Sequence, residues 1–225
     1  MTPVLLACLT GGVLLSCLWL WRFRSQLFRS PAIVIGIAVL HTVTGVMCVK
    51  LFAGLEHLEF SLSDGMSLFG AVFFLPLLYA AAAKLFHRDP RKVFDVMTLC
   101  LISALLFARI NCTVSGCCLG KLLPGSELLR WPTREAEMLF HMILLVLFYQ
   151  KLRRGDQSGT LYPLYMILYG IFRFLTEWFR EGEVLFYGMH LAHFWSLLSI
   201  AVGCGFYFEI TARARRRAQR ANIRR

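Results

Sequence analysis

Seven long apolar runs follow one another along this chain. Each is bounded by charged residues or by glycine and proline, and they lie at about 4–21, 32–53, 65–85, 94–108, 137–150, 160–179 and 189–210. About 20 consecutive apolar residues cross the hydrocarbon core of a bilayer as an α-helix, whereas a membrane strand alternates apolar and polar residues. Because these runs are continuously apolar, we expect an all-α polytopic membrane protein with about seven transmembrane helices.

The composition fits this expectation, since 58% of the residues are hydrophobic and 16% are charged. Soluble domains have about 45–50% and about 25%. The fourth and fifth runs are short for a membrane span, so we expect flanking polar residues to extend their helices or the helices to be tilted. We divide the chain into a seven-helix membrane domain, 1–212, and a basic cytoplasmic tail, 213–225.

Basic residues predict the orientation in the membrane. Most of the 24 Lys and Arg residues follow the first, third, fifth and seventh runs, while the loops after the second and sixth runs carry Glu59, Asp64 and Glu183. Short cytoplasmic loops collect Lys and Arg, so we expect an outside N-terminus and a cytoplasmic C-terminus. Anionic lipid then accounts for the net charge of +11, and we expect the lipid bilayer, and no nucleic acid, as a partner.

Polar residues line one face of the sixth run. They are spaced four, four, four and three residues apart, which places them on one side of a helix: Tyr165, Tyr169, Arg173, Glu177 and Arg180. An ionised group at mid-bilayer costs on the order of 3 kcal/mol on insertion scales, so such groups usually face the protein interior. Two interpretations stay open: an ion pair that holds helices together, or a site whose arginine forks bind a lipid phosphate.

A cysteine-rich segment follows the fourth run and reads Arg-Ile-Asn-Cys-Thr-Val-Ser-Gly-Cys-Cys-Leu-Gly-Lys over 109–121. Its glycines and small residues indicate a tight, non-helical return near the outer face. Non-helical backbone at membrane depth is tolerated where it packs in protein or lines a wet cavity. Arg109 is a second possible phosphate ligand, or a side chain that reaches the interface.

Three of the eight cysteines lie in this return, and the other five lie in apolar helices as small hydrophobic residues. Cys112, Cys117 and Cys118 allow three interpretations. They could form a disulfide that staples the return on the oxidising side, or bind a soft metal, although a clear fourth ligand is missing. Cys117 or Cys118 could also be a nucleophile whose pKa is lowered by Arg109 and Lys121. We expect neither a cofactor nor a metal.

Several segments resemble the prolipoprotein diacylglyceryl transferases of bacterial inner membranes. The similarity extends over about residues 40–205 and is carried by four segments: Arg109 with the Gly116–Gly120 turn, Pro132-Thr133 with Glu137, the sixth-run sequence Tyr-Gly-Ile-Phe-Arg-Phe-Leu-Thr-Glu-Trp-Phe-Arg at 169–180, and the glycine-rich loop at 64–70.

The resemblance implies an activity and a set of roles. Members of this family move a diacylglyceryl group from phosphatidylglycerol to a cysteine thiol of an exported, lipobox-containing precursor and release glycerol phosphate. By this similarity Arg109 and Arg173 would hold the phosphate, and Glu177 would orient Arg173. From the residues themselves, we also expect Cys117, beside Arg109 and Lys121, to be catalytic. We expect the substrate-binding residues to be Tyr165, Tyr169, Arg180, Gly116 and Glu137. The expected location is the bacterial cytoplasmic membrane.

The chain departs from the family pattern at three positions. Phe69 stands where the family has a histidine, Cys112 where it has an asparagine, and Cys117 where it has an acidic residue. Either the role of general base has moved to His41, His141 or His193, or the chain is a divergent member that acts on another acceptor. Single histidines within a membrane more often hold helices together. The alternative is a non-catalytic lipid-binding or thiol-redox membrane protein on the same scaffold. A channel or transporter is less favoured, because the sequence has no paired broken helices.

Overall fold

A computed structural model describes residues 3–25, 27–28, 30–57, 67–156, 158–181 and 188–223. Seven α-helices occur in these ranges: α1 (Pro3–Arg22), α2 (Pro31–His57), α3 (Phe69–Leu85), α4 (Pro90–Val114), α5 (Thr133–Arg153), α6 (Leu161–Glu177) and α7 (Leu191–Ile223). The acidic loop residues Glu59, Asp64 and Glu183, and the first part of the glycine-rich loop, 64–66, lie outside the described residues.

Helix length and surface composition identify an all-α membrane protein, as the sequence predicts. Within the described ranges, α1, α2, α4 and α7 are long and apolar enough to cross a bilayer, and α3 is a shorter apolar helix of 17 residues. Large apolar side chains point away from the protein along these helices; Leu14 of α1, for example, is 60% exposed. A membrane protein needs such a surface because lipid, rather than water, surrounds it.

Helix α4 lies at the centre of the bundle and packs against α1, α3, α5 and α6. Its N-terminus is capped by Asp89, whose side chain accepts a hydrogen bond from the backbone N–H of Arg91 at 3.0 Å, and Pro90 occupies the first helical position. Flanking polar residues extend α4 to 25 residues and α5 to 21, which confirms the first of the two expectations for these short runs.

Glycines let α6 and α7 approach closely. A Cβ atom on Gly170 would lie 2.8 Å from the backbone oxygen of Ser196, and one on Gly203 would lie 2.9 Å from that of Pro163. Small residues at such contacts are how helices in membranes gain van der Waals packing. The close contact brings the first turn of α7 beside the last turn of α6.

A buried carboxylate joins α4 to the start of α6. Asp95 is fully buried and accepts hydrogen bonds from the backbone N–H groups of Gly159, at 2.8 Å, and Leu161, at 3.0 Å. The first N–H groups of a helix have no partner within the helix, so Asp95 satisfies donors that the apolar surroundings would leave unpaired.

We expect Asp95→Ala to lower the free energy of unfolding by about 2–3 kcal/mol, because two buried N–H donors lose their acceptor. The measurement is the thermal unfolding midpoint in detergent. The matched control is Asp89→Ala, which removes a partly exposed cap at the start of α4 and should cost about 1 kcal/mol. Equal midpoints for the two variants would contradict the role given to Asp95.

Candidate functional site

Four helix ends meet at one end of the bundle and bring ionisable side chains together. Arg109 comes from the last turns of α4, Glu137 from the first turns of α5, and Arg173 and Glu177 from the last turns of α6. His190 directly precedes α7. Each of these five side chains is buried, with Arg109 only 4% and Arg173 only 6% exposed. Buried ionisable groups are costly unless they pair, so this convergence marks the candidate site.

Three ion pairs organise the site. The Nε atom of Arg109 lies 2.9 Å from Oε2 of Glu137, and Nη1 of Arg173 lies 2.6 Å from Oε2 of Glu177. Nη1 of Arg180 lies 3.9 Å from the same Glu177 oxygen. The second pair confirms the prediction that Arg173 and Glu177 share one helix face. Arg180, predicted on the same face, lies beyond the end of α6 but still pairs with Glu177. The first pair, between α4 and α5, was not predicted.

The arginines offer more hydrogen-bond donors than their partners can occupy. Three guanidinium groups, with five N–H donors each, face the two carboxylates of Glu137 and Glu177. The Nε atom of Arg180 is buried and makes no hydrogen bond to any residue in the described ranges. Burial and the positive charges of Arg173 and Arg109 lower the pKa of Arg180. An anion bound here would relieve this repulsion and accept from the free donors.

Both predicted tyrosines lie beneath the ion pairs. Tyr169 donates a hydrogen bond from its hydroxyl to Oε1 of Glu137 at 3.2 Å, so it touches the site directly. Tyr165 stacks on Tyr169 with ring centroids 5.5 Å apart, and its hydroxyl lies 3.2 Å from Nε2 of His141. His141 in turn hydrogen-bonds the backbone oxygen of Glu137 at 2.8 Å. Tyr165 and His141 therefore support Tyr169 and Glu137.

Residues 115–132, between α4 and α5, are non-helical, as predicted, and this return pairs with the segment after α6. Residues 109–114, which the sequence placed in the return, instead form the last turns of α4. The backbone N–H of Lys121 donates to the oxygen of Phe179 at 2.8 Å, and that of Glu181 donates to Leu119 at 3.2 Å. Gly120 is required within this pairing, because a Cβ atom there would lie 2.1 Å from the backbone oxygen of Trp131. The paired segments bring the cysteines of the return beside Arg180.

A turn in the return gathers its cysteines. Gly116 has φ +70°, which glycine adopts without strain, and Cys118 has φ +59°, which costs a residue with a side chain about 1–2 kcal/mol. The sulfur atoms of Cys112, Cys117 and Cys118 all lie within 4.8 Å of one another. Arg134 holds the turn by donating to the backbone oxygens of Cys112, at 3.4 Å, and Cys117, at 3.3 Å.

Neighbouring groups change the pKa of the Cys118 thiol. A hydrogen bond from the Cys112 thiol, together with the charges of Arg180 and Arg109, lowers the pKa of Cys118 to about 4. Cys117, the residue that the sequence assigns to catalysis, is exposed, and its thiol lies 3.7 Å from the backbone oxygen of Cys112. All eight cysteines are free thiols in this structure.

The histidines divide into packing residues and one that sequence analysis missed. His41 lies 3.0 Å from the hydroxyl of Tyr79 and joins α2 to α3. Nδ1 of His190 lies 3.2 Å from Oε1 of Glu177, and its backbone N–H donates to His193 at 2.9 Å. His190 had no spacing relationship to the sixth run that could have singled it out. Phe69, in the position of the family histidine, is buried with its ring centroid 5.5 Å from that of Tyr169.

Comparison with known proteins agrees with the resemblance seen in the sequence. The model of the prolipoprotein diacylglyceryl transferase family matches residues 6–209. The chain is 28% identical over 165 residues to a phosphatidylglycerol–prolipoprotein diacylglyceryl transferase of Clostridium tetani, an alignment that covers 66% of this chain and 65% of that protein. It is 32% identical over 165 residues to the enzyme of the same name from Campylobacter hominis, covering 65% and 57% respectively.

A longer alignment is found with the protein of the same name from Dehalococcoides mccartyi. That relative is 24% identical over 223 residues, which cover 87% of this chain and 84% of the relative. The chain spans less than two thirds of the length of the Clostridium and Campylobacter relatives. The family match includes α4, α5 and α6 and the ion-paired residues of the site. This chain belongs to the prolipoprotein diacylglyceryl transferase family.

Proposed function

We propose that the protein transfers a diacylglyceryl group from phosphatidylglycerol to a cysteine thiol of an exported, lipobox-containing precursor. The observation that carries the proposal is the convergence of the buried guanidiniums of Arg109 and Arg173 with the partly buried guanidinium of Arg180 at one end of the bundle. The Nε atom of Arg180 has no hydrogen-bond partner among the described residues. A phosphodiester is the anion whose oxygens match arginine forks. The names of the relatives supply the donor and the acceptor class.

In this reaction the acceptor sulfur attacks the glyceryl carbon that carries the phosphate. A carbon–sulfur bond forms, the bond between that carbon and the phosphate oxygen breaks, and glycerol phosphate leaves with the electron pair. Negative charge grows on the departing phosphate, so donors fixed around it stabilise the transition state more than the ground state. We assign this role to Arg173 and Arg109.

The remaining predicted residues orient the arginines or shape the site around them. Glu177 orients Arg173 and Arg180 through ion pairs. Glu137 orients Arg109 through an ion pair and accepts a hydrogen bond from the Tyr169 hydroxyl. Tyr165 supports Tyr169 by stacking. Gly116 allows the turn that closes the outer side of the site, and Cys117 lies at its exposed rim. The proposal therefore includes the nine residues predicted to be catalytic or substrate-binding.

The proposed topology places this site at the outer surface of the bacterial cytoplasmic membrane. All seven helices cross, the N-terminus lies outside, residues 1–212 form the membrane domain and residues 213–225 form a cytoplasmic tail. Two features support this arrangement: the alternation of basic and acidic connections, and the position of the cysteine-rich return at the end that receives an exported substrate.

Cysteine labelling tests the topology. We expect a membrane-impermeant maleimide to label Glu127→Cys, in the return, in intact cells, and to label Ala214→Cys, in α7, only after the membrane is permeabilised. Both variants are made in a chain with Cys112, Cys117 and Cys118 replaced by serine, which serves as the unlabelled control. Labelling of Ala214→Cys in intact cells would overturn the orientation and the outward-facing site.

A direct assay tests the activity. The purified protein is placed in phosphatidylglycerol vesicles with a lipobox peptide, and mass spectrometry measures the peptide. We expect a diacylglyceryl thioether on the peptide, none when serine replaces the acceptor cysteine, and none in phosphatidylcholine vesicles. Absence of the adduct from folded protein that binds phosphatidylglycerol would favour the non-catalytic lipid-binding or thiol-redox alternative.

A further inference from the structure

Three thiols occupy one small volume beside the arginines, and the proposed reaction assigns them no role. Cys112 lies in the last turn of α4, and Cys117 and Cys118 are consecutive residues of the return. Consecutive side chains in an extended segment point to opposite sides. The left-handed backbone of Cys118 removes that separation, so that all three sulfurs lie within 4.8 Å of one another.

We propose that Cys112, Cys117 and Cys118 bind a zinc ion whose fourth coordination position takes the thiolate of the acceptor cysteine. Zinc–sulfur bonds of about 2.3 Å in a tetrahedron place the sulfurs about 3.8 Å apart, so the cluster needs to contract by no more than about 1 Å. The inference rests on the proposed transfer reaction and identifies how its nucleophile is activated.

An open coordination position fits the surroundings of the cluster. In the described part of the chain, no fourth histidine, cysteine, aspartate or glutamate joins the three sulfurs. Structural zinc sites have four protein ligands, whereas catalytic sites have three and leave one position for water or substrate. Cys117 is exposed, so an incoming thiol can reach the cluster from outside.

Zinc would activate the acceptor thiol in place of the family histidine, whose position is taken by Phe69. Phe69 has no proton acceptor, and a thiol must become a thiolate before it attacks. A thiol that coordinates a metal ion is deprotonated outright. The acceptor thiol would release its proton to water on binding zinc. Its sulfur would then attack the glyceryl carbon, and glycerol phosphate would leave with the electron pair of the broken carbon–oxygen bond. The thioether product would then dissociate.

The arginines offset the charge of the cluster. Zinc with three thiolates carries a charge of −1, and the acceptor thiolate makes it −2. Nη1 of Arg109 lies 3.9 Å from the sulfur of Cys112, and the backbone bridge between Gly120 and Arg180 holds Arg180 next to the return. The same arginines face the proposed phosphate position. The bound lipid would have its glyceryl carbon between the acceptor sulfur and the departing phosphate oxygen, as displacement at a saturated carbon requires.

Metal content is the first test. The full-length protein is purified in detergent under reducing conditions, loaded with zinc and passed over a desalting column. We expect one zinc ion per chain, and at least a tenfold lower content in Cys112→Ser, Cys117→Ser and Cys118→Ser. Cys204→Ser, in α7, is the matched control and should retain zinc. A zinc content at background, or one unchanged in the three variants, overturns the inference; thermal unfolding midpoints confirm that the variants are folded.

Cobalt substitution tests the open position. Cobalt(II) in the same site should show thiolate-to-cobalt charge-transfer absorption, and a lipobox peptide should raise this absorption by about one third because a fourth thiolate joins three. A peptide with serine in place of the cysteine should leave it unchanged. If the two peptides act alike, the fourth position does not take the acceptor.

Different results would overturn the zinc inference and the proposed function. Transfer that continues at the original rate in protein stripped of metal by a chelator would overturn the zinc inference and leave the proposed function intact. Zinc binding with the expected peptide effect on cobalt, but without diacylglyceryl transfer, would overturn the proposed function instead. A disulfide among the three cysteines that persists through reduction would also exclude the metal site.

Discussion

Arg173→Ala is expected to lower the rate of diacylglyceryl transfer by about 10²–10³-fold, because donors aimed at developing negative charge contribute that much in other enzymes. The side chain is buried against Glu177, and no other residue in its position could present a planar fork to the phosphate. The measurement is the initial rate of thioether formation on a lipobox peptide in phosphatidylglycerol vesicles.

Two further variants sharpen this test. Arg173→Lys keeps the charge but loses the fork, so its rate should lie between those of the wild type and Arg173→Ala. Arg153→Ala is the matched control and should transfer at the original rate. It removes an exposed arginine from the last turn of α5, at the end of that helix away from the site. A wild-type rate in correctly inserted Arg173→Ala would show that this arginine does not contact the phosphate.

Glu137→Ala is expected to destabilise the protein by about 3–5 kcal/mol, because it leaves Arg109 buried without its partner. The ion pair is short, at 2.9 Å, and both side chains are almost fully buried. The Tyr169 hydroxyl also loses its acceptor. The thermal or denaturant unfolding midpoint in detergent measures the loss, and transfer should fall with it.

The double variant Arg109→Leu with Glu137→Leu separates a packing role from a catalytic role. Replacing both members of a buried pair with apolar residues is often neutral or stabilising, so we expect most of the lost stability to return. Transfer should stay at least about 10²-fold below the wild type, because a phosphate donor is missing. If the double variant recovers both stability and transfer, the pair only holds α4 against α5.

The sequence was sufficient for features that depend on local periodicity. The stripe on α6 was predicted from spacings of three and four residues, because side chains at those spacings share a helix face whatever lies opposite them. Continuous apolar runs likewise identified the helices. The beginnings of α4 and α5 were harder to predict, because α4 is capped by Asp89 and α5 begins at the polar residue Thr133, both before the apolar runs.

Contacts between segments that are distant in the sequence could not be predicted from local patterns. The pairing of Arg109 with Glu137 depends on how the return folds, and the return depends on backbone hydrogen bonds with the segment after α6. The same tertiary pairing brings Cys118 close enough to Arg180 for the arginine to lower its pKa. His190 reaches Glu177 because Gly170 and Gly203 let α7 approach α6, a contact with no period in the sequence.

The most direct test of the central claim measures both products of one reaction. Protein in phosphatidylglycerol vesicles is incubated with a lipobox peptide, and the diacylglyceryl peptide and the released glycerol phosphate are quantified together over time. We predict that the two products appear in equal amounts, that both require the acceptor cysteine, and that both fall together in Arg173→Ala. Glycerol phosphate released without modified peptide, or neither product from folded protein that retains phosphatidylglycerol, would contradict the proposed transfer.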